Sequence, residues 1–351
     1  MTNGPMTVLM AIDARFVTPL FVTVTSLVEN LADEENIELY ILSNDLTPDI
    51  RRRLGNAWQD RVRLRLLPVD LGKLEALSAP PRARPVQAAY ARLLAGSSLP
   101  PDVSRVLYLD ADLLVRSDLL PLWQKPIGGN VLLAVQDSFL QRPSAGDSGS
   151  RGGYFNSGVM LIDLDAWRAE GIEERCFAIA RTLRSRTRWR DQDILNAALA
   201  GRWGRLSPRW NRQFWLDLFP DWQCSPHDAD EVREALADPA IVHFCGWTKP
   251  WHPACDHAPE QVAAHRAILR RSPFAAEVNF EPTLAVRVRE LLAEPHRRVR
   301  DRAAAAWRAL NRRHAVRRML PGILRCALRS PWTFATVPLE VFGRRLLGRS
   351  S

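Results

Sequence analysis

The clearest chemistry in this sequence lies in two aspartates that follow one short apolar run. Residues 106–109, Val-Leu-Tyr-Leu, have the length of a buried strand, and Asp110-Ala111-Asp112 comes directly after them. Side chains i and i+2 of a strand point to the same face, so the two carboxylates repel each other unless a cation lies between them. Hard divalent ions such as Mg²⁺ and Mn²⁺ bind carboxylates and bridge to substrate phosphates. The residues also fit a polar strand end, with one aspartate capping the next turn.

A second group of candidate residues follows the first apolar run of the chain, residues 7–12. Asp13 can form a hydrogen bond with a base or a ribose, and Phe16 can stack on a base. Many strands end in an aspartate without binding a ligand. This motif alone therefore does not distinguish a nucleotide pocket from an ordinary strand end.

Two later motifs place polar residues at the start of apolar segments. Asn156-Ser-Gly158 precedes a strand-like pattern, and its glycine either lets a ligand approach the backbone or forms a tight turn. Asp191-Gln-Asp193 opens a helical pattern, where an aspartate most often caps the helix. Each motif has both a structural and a catalytic interpretation.

The segment 243–252 combines histidine, lysine and three aromatic residues around one glycine. His243 ends a strand-like run, and Lys249 follows six residues later. A histidine and a lysine in this arrangement can bind a metal ion and a phosphate, respectively. A single histidine is more often structural, so the sequence leaves both roles open.

The order of the apolar patterns predicts the scaffold that positions these residues. Strand-like runs alternate with segments whose apolar residues have helical spacing. Such alternation is typical of an open, mostly parallel α/β sheet, in which ligands bind at the carboxyl ends of the strands. Strands are predicted at 7–12, 37–42, 62–68, 106–109, 130–135 and 158–162, and helices at 19–31, 48–58, 87–95, 165–184 and 191–199.

The composition indicates an ordinary globular protein in a reducing compartment. The 351 residues suffice for one large domain and an extension, and the apolar and charged fractions are average. The five cysteines include no CxxC pair and are expected to be free thiols. The sequence shows no signal peptide and no apolar run of about 18 residues. We therefore expect a cytoplasmic protein without a membrane span.

The positive charge is concentrated in residues 281–351, which we call the basic tail. It contains 16 arginines, no lysine and five acidic residues, a net charge of +11, so the net +9 of the chain leaves −2 for residues 1–280. This distribution argues against a nucleic-acid-binding core. Apolar residues at helical spacing, with Trp332, Phe334 and Phe342 further on, favour an amphipathic region that lies on an anionic membrane. A solvated helix packed on the domain and an RNA-binding tail are the alternatives.

In their order and spacing, these motifs resemble family 8 of the glycosyltransferases, the retaining group with the GT-A fold. In detail the chain resembles the bacterial lipopolysaccharide and lipooligosaccharide galactosyl- and glucosyltransferases. The resemblance implies an α/β, Rossmann-like, mostly parallel open sheet flanked by helices over residues 1–280, followed by the basic tail as a helical extension. The matching stretches, which span about 70% of the chain, are 10–16, 89–93, 107–115, 154–162, 190–196 and 243–251.

The resemblance also implies roles for residues around the nucleotide. Asp110, Asp112 and His243 would hold Mn²⁺, or Mg²⁺, against the diphosphate of a UDP-sugar. Gly246 and Lys249 would contact the same diphosphate. The remaining matched positions of this pocket are Ala11, Asp13 and Phe16 around the uridine, and Ala111 between the two metal-binding aspartates.

The residues that the resemblance places around the donor sugar are Arg92, Asp137, Asn156, Asp191 and Gln192. A divalent cation and a lysine would stabilise the charge on the departing UDP, and side-chain oxygens would stabilise the oxocarbenium-like sugar. Gln192 is the expected neighbour of the β face of the anomeric carbon. Because a carboxamide is a poor nucleophile, we favour same-face attack by the acceptor over a covalent intermediate.

The expected activity is transfer of galactose or glucose from UDP to a saccharide acceptor, such as a lipid-linked lipopolysaccharide core, at the inner face of the cell membrane. A nucleotide-sugar-binding protein without transfer activity is the alternative. Two positions depart from the family pattern. Arg15 stands where asparagine is common, and Trp247-Thr248 replaces smaller residues beside the expected acceptor groove. We expect the ribose contact and the acceptor to differ accordingly.

Overall fold

The computed structural model describes most of residues 4–278, and the structural statements below concern those residues. The basic tail lies outside the described residues, as do Gly246 and Trp247-Thr248. No helix in the described part of the chain is both long and apolar enough to cross a membrane. The internal stretches left out are 33–35, 59, 78–86, 139–152, 184–190, 215, 217–225, 246–248, 253–254 and 256–257.

The centre of the protein is a seven-stranded sheet. The strands of the described residues are β1 (Met6–Ala11), β2 (Ile37–Leu42), β3 (Val62–Leu67), β4 (Arg105–Leu109), β5 (Leu113–Val115), β6 (Leu132–Gln136), β7 (Phe155–Asp163), β8 (Trp203–Leu206), β9 (Arg212–Gln213) and β10 (Ile241–His243). The large sheet has the order β3-β2-β1-β4-β7-β6-β8, and β7 alone runs antiparallel to its neighbours. This confirms the predicted open, mostly parallel α/β architecture.

Helices cover both faces of the large sheet, which explains why most of its strands read as nearly continuous apolar runs. They are α1 (Val17–Asn30), α2 (Pro48–Ala57), α3 (Leu71–Leu77), α4 (Gln87–Ala91), α5 (Ala95–Ser98), α6 (Leu120–Trp123), α7 (Leu164–Ala169), α8 (Ile172–Leu183), α9 (Asp191–Ala198), α10 (Ala229–Ala237) and α11 (Pro259–Arg270). Val8 and Met10 of β1 pack in one core with Leu20 of α1. Leu9, on the other face, packs in a second core with Trp167 of α7.

A small second sheet carries the histidine of the candidate metal site. β10 pairs antiparallel with β5 and parallel with β9, and His243 lies opposite Leu113. The buried hydroxyl of Thr23 in α1 donates to Ala111 O (2.8 Å) and accepts from Leu113 N (3.2 Å). This contact ties the turn after Asp110 to α1, while Phe244 N donates to Asp112 O (3.0 Å). The segment that carries Asp110 and Asp112 is thereby held beside the end of β10, which carries His243.

Two predicted helices differ from the structure in continuity. The helical pattern at 165–184 forms α7 and α8, which are separated where Gly171 adopts a φ of +62°. A left-handed residue ends a helix, and glycine adopts that conformation without steric cost. The pattern at 87–95 forms α4, a 3-10 turn at Arg92–Leu94, and α5. Hydrophobic spacing located these segments correctly but did not reveal the breaks inside them.

Candidate active site

Four strand ends of the large sheet meet at one edge. β1, β4 and β6 run in one direction and end there, and β7 runs the opposite way and begins there. The strands β1, β4 and β6 are followed by Asp13, Asp110 and Asp137, respectively. Asn156 is the second residue of β7. Asp110 N donates to Gly158 O (2.8 Å), which extends the pairing of β4 with β7. Open α/β sheets bind ligands at this edge.

Asp110, Asp112 and His243 form a compact cluster at this edge. One ligand atom from each residue lies within 4.8 Å of the other two. His243 Nε2 is 3.3 Å from Asp112 Oδ1 and 3.8 Å from Asp110 Oδ2. Two carboxylates and one imidazole form a donor set that suits Mn²⁺ and related divalent ions. The structure thus brings together the three residues that the sequence proposed as metal ligands.

Gly158 leaves the space that this cluster occupies. A Cβ atom at this position would lie 2.8 Å from His243 Nδ1 and 2.9 Å from Asp110 Oδ2, closer than real Cβ contacts allow. The glycine lies within β7 and not in a turn. The close approach expected at this position is therefore made by the side chains of Asp110 and His243 in the candidate metal site.

Two cations compensate the carboxylates of the cluster. Lys249 Nζ donates to Asp112 Oδ2 (2.6 Å) and to the backbone oxygen of Phe244 (2.6 Å). Arg92 Nη2 pairs with Asp110 Oδ1 (2.9 Å). Burial opposes the charge of Asp112, but Lys249 and His243 overcome that effect and lower its pKa well below the ordinary value. Both carboxylates therefore have a cationic partner within the protein.

Arg92 connects the metal cluster to the predicted sugar end of the site. Its buried guanidinium also pairs with Asp191 Oδ2 (3.1 Å), donates to Ser157 O (3.0 Å) and lies over the Tyr108 ring. Burial disfavours the charge on Arg92, yet Asp110 and Asp191 raise its pKa above the ordinary value. Burial raises the pKa of Asp191 to about 6 despite Arg92. Asp191 is thus more easily protonated than an ordinary aspartate.

Gln192 and Asp137 complete the predicted sugar end. Gln192 Oε1 accepts from Ser157 N (3.0 Å), and Gln192 Nε2 donates to Asp137 Oδ2 (3.1 Å). Asn156 Nδ2 donates to the same carboxylate oxygen (3.3 Å). All five residues predicted to surround the sugar therefore belong to one connected network with the cluster.

The predicted nucleotide residues lie beside the end of β1. Asp13 caps the 3-10 turn Ala14–Phe16 by accepting from Arg15 N (3.0 Å), and its carboxylate also pairs with Arg15 Nη2 (2.8 Å). Phe16 packs edge-to-face on Trp251, with ring centroids 6.1 Å apart. Ala11 is half-buried at the end of β1, and Ala111 is buried between the two aspartates. Arg15, noted as a departure from the family pattern, thus contacts the predicted base-binding or ribose-binding carboxylate.

Sequence reasoning missed three polar contributors to the site. Asn211, which is fully buried, lies 3.0 Å from His243 Nδ1 through its Oδ1. Ser157 bonds Arg92 and Gln192, and the Tyr154 hydroxyl donates to Asp193 Oδ1 (2.7 Å). No local pattern marks Asn211, because its partners lie 32 and 55 residues away in sequence.

Comparisons with known proteins identify the class of this site. The model of glycosyl transferase family 8 matches residues 7–255. General stress protein A of Bacillus subtilis strain 168 is 32% identical over 252 residues, which cover 70% of this chain and 85% of that protein. Lipopolysaccharide 1,2-glucosyltransferase of Escherichia coli strain K12 is 26% identical over 257 residues, which cover 72% of this chain and 74% of that enzyme.

A solved structure agrees with the sequence relatives. The galactosyltransferase LgtC, in complex with donor and acceptor sugar analogs, superimposes with a TM-score of 0.65 and 26% identity. The match covers 79% of this chain and 98% of that chain. Because the family match extends over more than two thirds of the chain and includes all three residues of the Asp-Asp-His cluster, this chain belongs to glycosyltransferase family 8 and is a glycosyltransferase of the GT-A fold.

Proposed function

We propose that this enzyme transfers galactose or glucose from a UDP-sugar to a saccharide acceptor, with retention of anomeric configuration and with Mn²⁺ or Mg²⁺ at Asp110, Asp112 and His243. The single observation that supports this most is the convergence of these three ligands at the ligand-binding edge of the sheet. The exclusion of a Cβ atom at Gly158 and the carboxylate-imidazole donor set both suit a divalent ion. Such an ion would offset charge on the departing diphosphate.

The residues around the cluster supply the remaining charge stabilisation. Lys249 is partly exposed and bonds Asp112, so its ammonium can pair with a diphosphate at the same place. The buried Arg92 holds Asp110 and Asp191 in fixed positions. Fixed charges of this kind need no reorganisation when negative charge develops on the leaving group.

At the sugar end, Gln192 and Asp191 present side-chain oxygens in fixed orientations. Ser157 N–H holds Gln192 Oε1, and Arg92 holds the carboxylate of Asp191. With a pKa of about 6, Asp191 is largely ionised at neutral pH and can stabilise a positively charged sugar. We propose attack by the acceptor on the same face as the departing UDP, because Gln192 is a carboxamide and a poor nucleophile.

The acceptor that we propose is a lipid-linked glycan, such as a lipopolysaccharide core. Lipopolysaccharide 1,2-glucosyltransferase of Escherichia coli is among the relatives, and the basic tail of this chain carries a net charge of +11. In this proposal, residues 1–280 form the catalytic domain, and residues 281–351 bind an anionic membrane on its cytoplasmic side. Each arginine near such a surface contributes about 1 kcal/mol, and apolar side chains add to the binding.

A screen of UDP-sugars with and without Mn²⁺ tests the activity. We expect one hexose to support metal-dependent hydrolysis, and transfer when saccharide acceptors are added. Tight binding of a UDP-sugar without hydrolysis or transfer to any acceptor would instead indicate a nucleotide-sugar-binding protein.

Co-sedimentation with anionic vesicles tests the role of the basic tail. The full chain should sediment at low salt and less at high salt, because salt screens the attraction. A variant without residues 281–351 should stay in solution and keep UDP-sugar hydrolysis. Equal sedimentation of the two proteins would exclude the tail as the anchor. Unfolding of the shortened protein would show that the tail packs on the domain, and tight, salt-dependent RNA binding would favour the nucleic-acid alternative.

A further inference from the structure

A chain of buried hydrogen bonds leads from the backbone of β7 to the imidazole of His243. Gly158 N–H donates to Asn156 Oδ1 (3.0 Å), and Asn211 Nδ2 donates to the same oxygen (2.9 Å). Asn211 Oδ1 lies 3.0 Å from His243 Nδ1. Asn156, Asn211 and His243 are all buried. A mismatched donor or acceptor among these groups would therefore be costly.

The Gly158 N–H determines the direction of each bond in this chain. A backbone N–H is always a donor, whereas the oxygen and nitrogen of a carboxamide exchange places when the group turns over. Asn156 must present its oxygen to Gly158, and this orientation also lets Asn156 Nδ2 donate to Asp137. Asn211 must then present its nitrogen to Asn156, which leaves its oxygen facing His243.

We infer that Asn211 is a positioning residue of the metal site, which holds His243 through its Nδ1–H and leaves the Nε2 lone pair for the ion. The oxygen of Asn211 can accept only from a protonated Nδ1. Nε2 is the ring nitrogen closest to Asp112 and Asp110. Histidines that bind metals are usually oriented by such a partner on the other ring nitrogen. The inference rests on the proposed function, in which His243 is a metal ligand.

Two substitutions at one position separate this role from general packing. Asn211→Asp keeps an oxygen acceptor for His243 and loses only the donor to Asn156, whereas Asn211→Leu has nearly the same size and loses both. Asn30→Leu is the matched control, because the Asn30 amide bonds Ser26 O and Val115 O, and Val115 lies at the end of β5 opposite Ile241, away from the Leu113 that faces His243. Mn²⁺ affinity is measured at saturating UDP by the electron paramagnetic resonance signal of the free ion, which does not depend on turnover.

The expected result is a loss of Mn²⁺ affinity of about 10- to 100-fold in Asn211→Leu. Asn211→Asp should lose clearly less affinity than Asn211→Leu, because it keeps the acceptor for His243 and loses only the donor to Asn156, and Asn30→Leu should be unchanged. Wild-type affinity in folded Asn211→Leu would overturn the inference, and so would an equal loss in both Asn211 variants. If the wild type itself binds no Mn²⁺ with UDP, the proposed metal site fails, and this outcome is distinct from a failure of the Asn211 assignment.

A measurement on the wild type avoids any effect of substitution on folding. Nitrogen-15 NMR of the histidine rings, with His243 assigned by its loss in His243→Gln, reports which ring nitrogen carries a proton. We expect the neutral ring of His243 in the metal-free protein to carry its proton on Nδ1, which faces Asn211 Oδ1. A neutral ring protonated at Nε2 alone would overturn the inference.

Discussion

Asp112 and Asp191 are both buried carboxyls beside a cation, yet their pKa values move in opposite directions. Lys249 and His243 face Asp112 and lower its pKa, whereas Asp191 shares its Arg92 with Asp110 and has a pKa raised to about 6. Burial opposes the charge of both carboxyls, and the neighbouring groups offset it at Asp112 but not at Asp191. This difference divides the candidate site into a proposed metal end, where the pKa of Asp112 is lowered, and a proposed sugar end, where the pKa of Asp191 is raised.

The largest effect is expected from removing a charge at the metal end. Asp112→Asn should reduce Mn²⁺-dependent UDP affinity and transfer by about 10³-fold, because the ion loses an anionic ligand. Calorimetric titration of UDP with and without Mn²⁺ measures the change. Asp165→Asn, at an exposed position of α7, is the control. Unchanged Mn²⁺-dependent UDP affinity in folded Asp112→Asn would contradict the assignment of this residue to the metal site.

At the sugar end, Gln192→Ala should act on turnover and not on nucleotide binding. Its side chain contacts Ser157 and Asp137, and its expected role is confined to the sugar carbon. We expect turnover to fall about 100-fold while UDP affinity changes less than about threefold. Steady-state kinetics with calorimetric UDP binding separates the two quantities. An equal loss in UDP affinity would instead assign Gln192 to the nucleotide pocket.

Lys249→Met makes the charge compensation of Asp112 more like that of Asp191, because it removes the ammonium that pairs with Asp112. UDP affinity should fall about 10- to 100-fold, as expected for the loss of a hydrogen bond to a charged group. The same substitution should raise the pKa of Asp112, so metal affinity should become more sensitive to acid. Metal-dependent UDP binding from pH 5 to pH 8 measures both effects. A pH profile parallel to that of the wild type would argue against the pairing of Lys249 with Asp112.

The smallest effect concerns the pH dependence of stability at Asp191. Its pKa is higher in the folded protein than its ordinary value of 3.8, so its contribution to stability is present below pH 3.8 and is lost as the pH rises through 6. Asp191→Asn does not titrate, and its stability relative to the wild type should increase by about 1 kcal/mol between pH 5 and pH 7.5. Thermal unfolding at each pH measures this difference. A constant difference across the range, like that expected for Asp165→Asn, would contradict the raised pKa.

Local sequence patterns predicted the residues whose neighbours are close in the chain. Asp110 and Asp112 follow a buried strand at a spacing of two, so their shared location could be predicted from strand geometry. The break between α7 and α8 was also marked by Gly171, although apolar spacing concealed it. Local sequence left the role of His243 open, and only the family resemblance placed it beside Asp110 and Asp112, since β5 and β10 have three residues each and owe their pairing to tertiary contacts.

Asn211 shows where prediction from a single sequence ends. It lies in a polar segment, residues 207–213, that resembles an exposed loop, yet it is fully buried. Its burial depends on the Asn156 amide in β7 and the His243 imidazole in β10, which satisfy the two ends of its side chain. Such complementarity arises only when three distant segments meet, so it leaves no periodic signal in the sequence.

The start of β7 has a consequence for how this enzyme can change in length. Asn156 and Gly158 belong to the chain of bonds that ends at His243, whereas Ser157 between them bonds Arg92 and Gln192. One inserted residue here would move each following side chain to the opposite face of the strand. It would therefore disrupt the proposed metal and sugar ends together. We expect single-residue insertions and deletions at 156–158 to be lost in a library selected for activity, even where point substitutions survive. Over evolution, this strand is therefore expected to keep its length, together with Asn156 and Gly158, even where other residues of the strand vary.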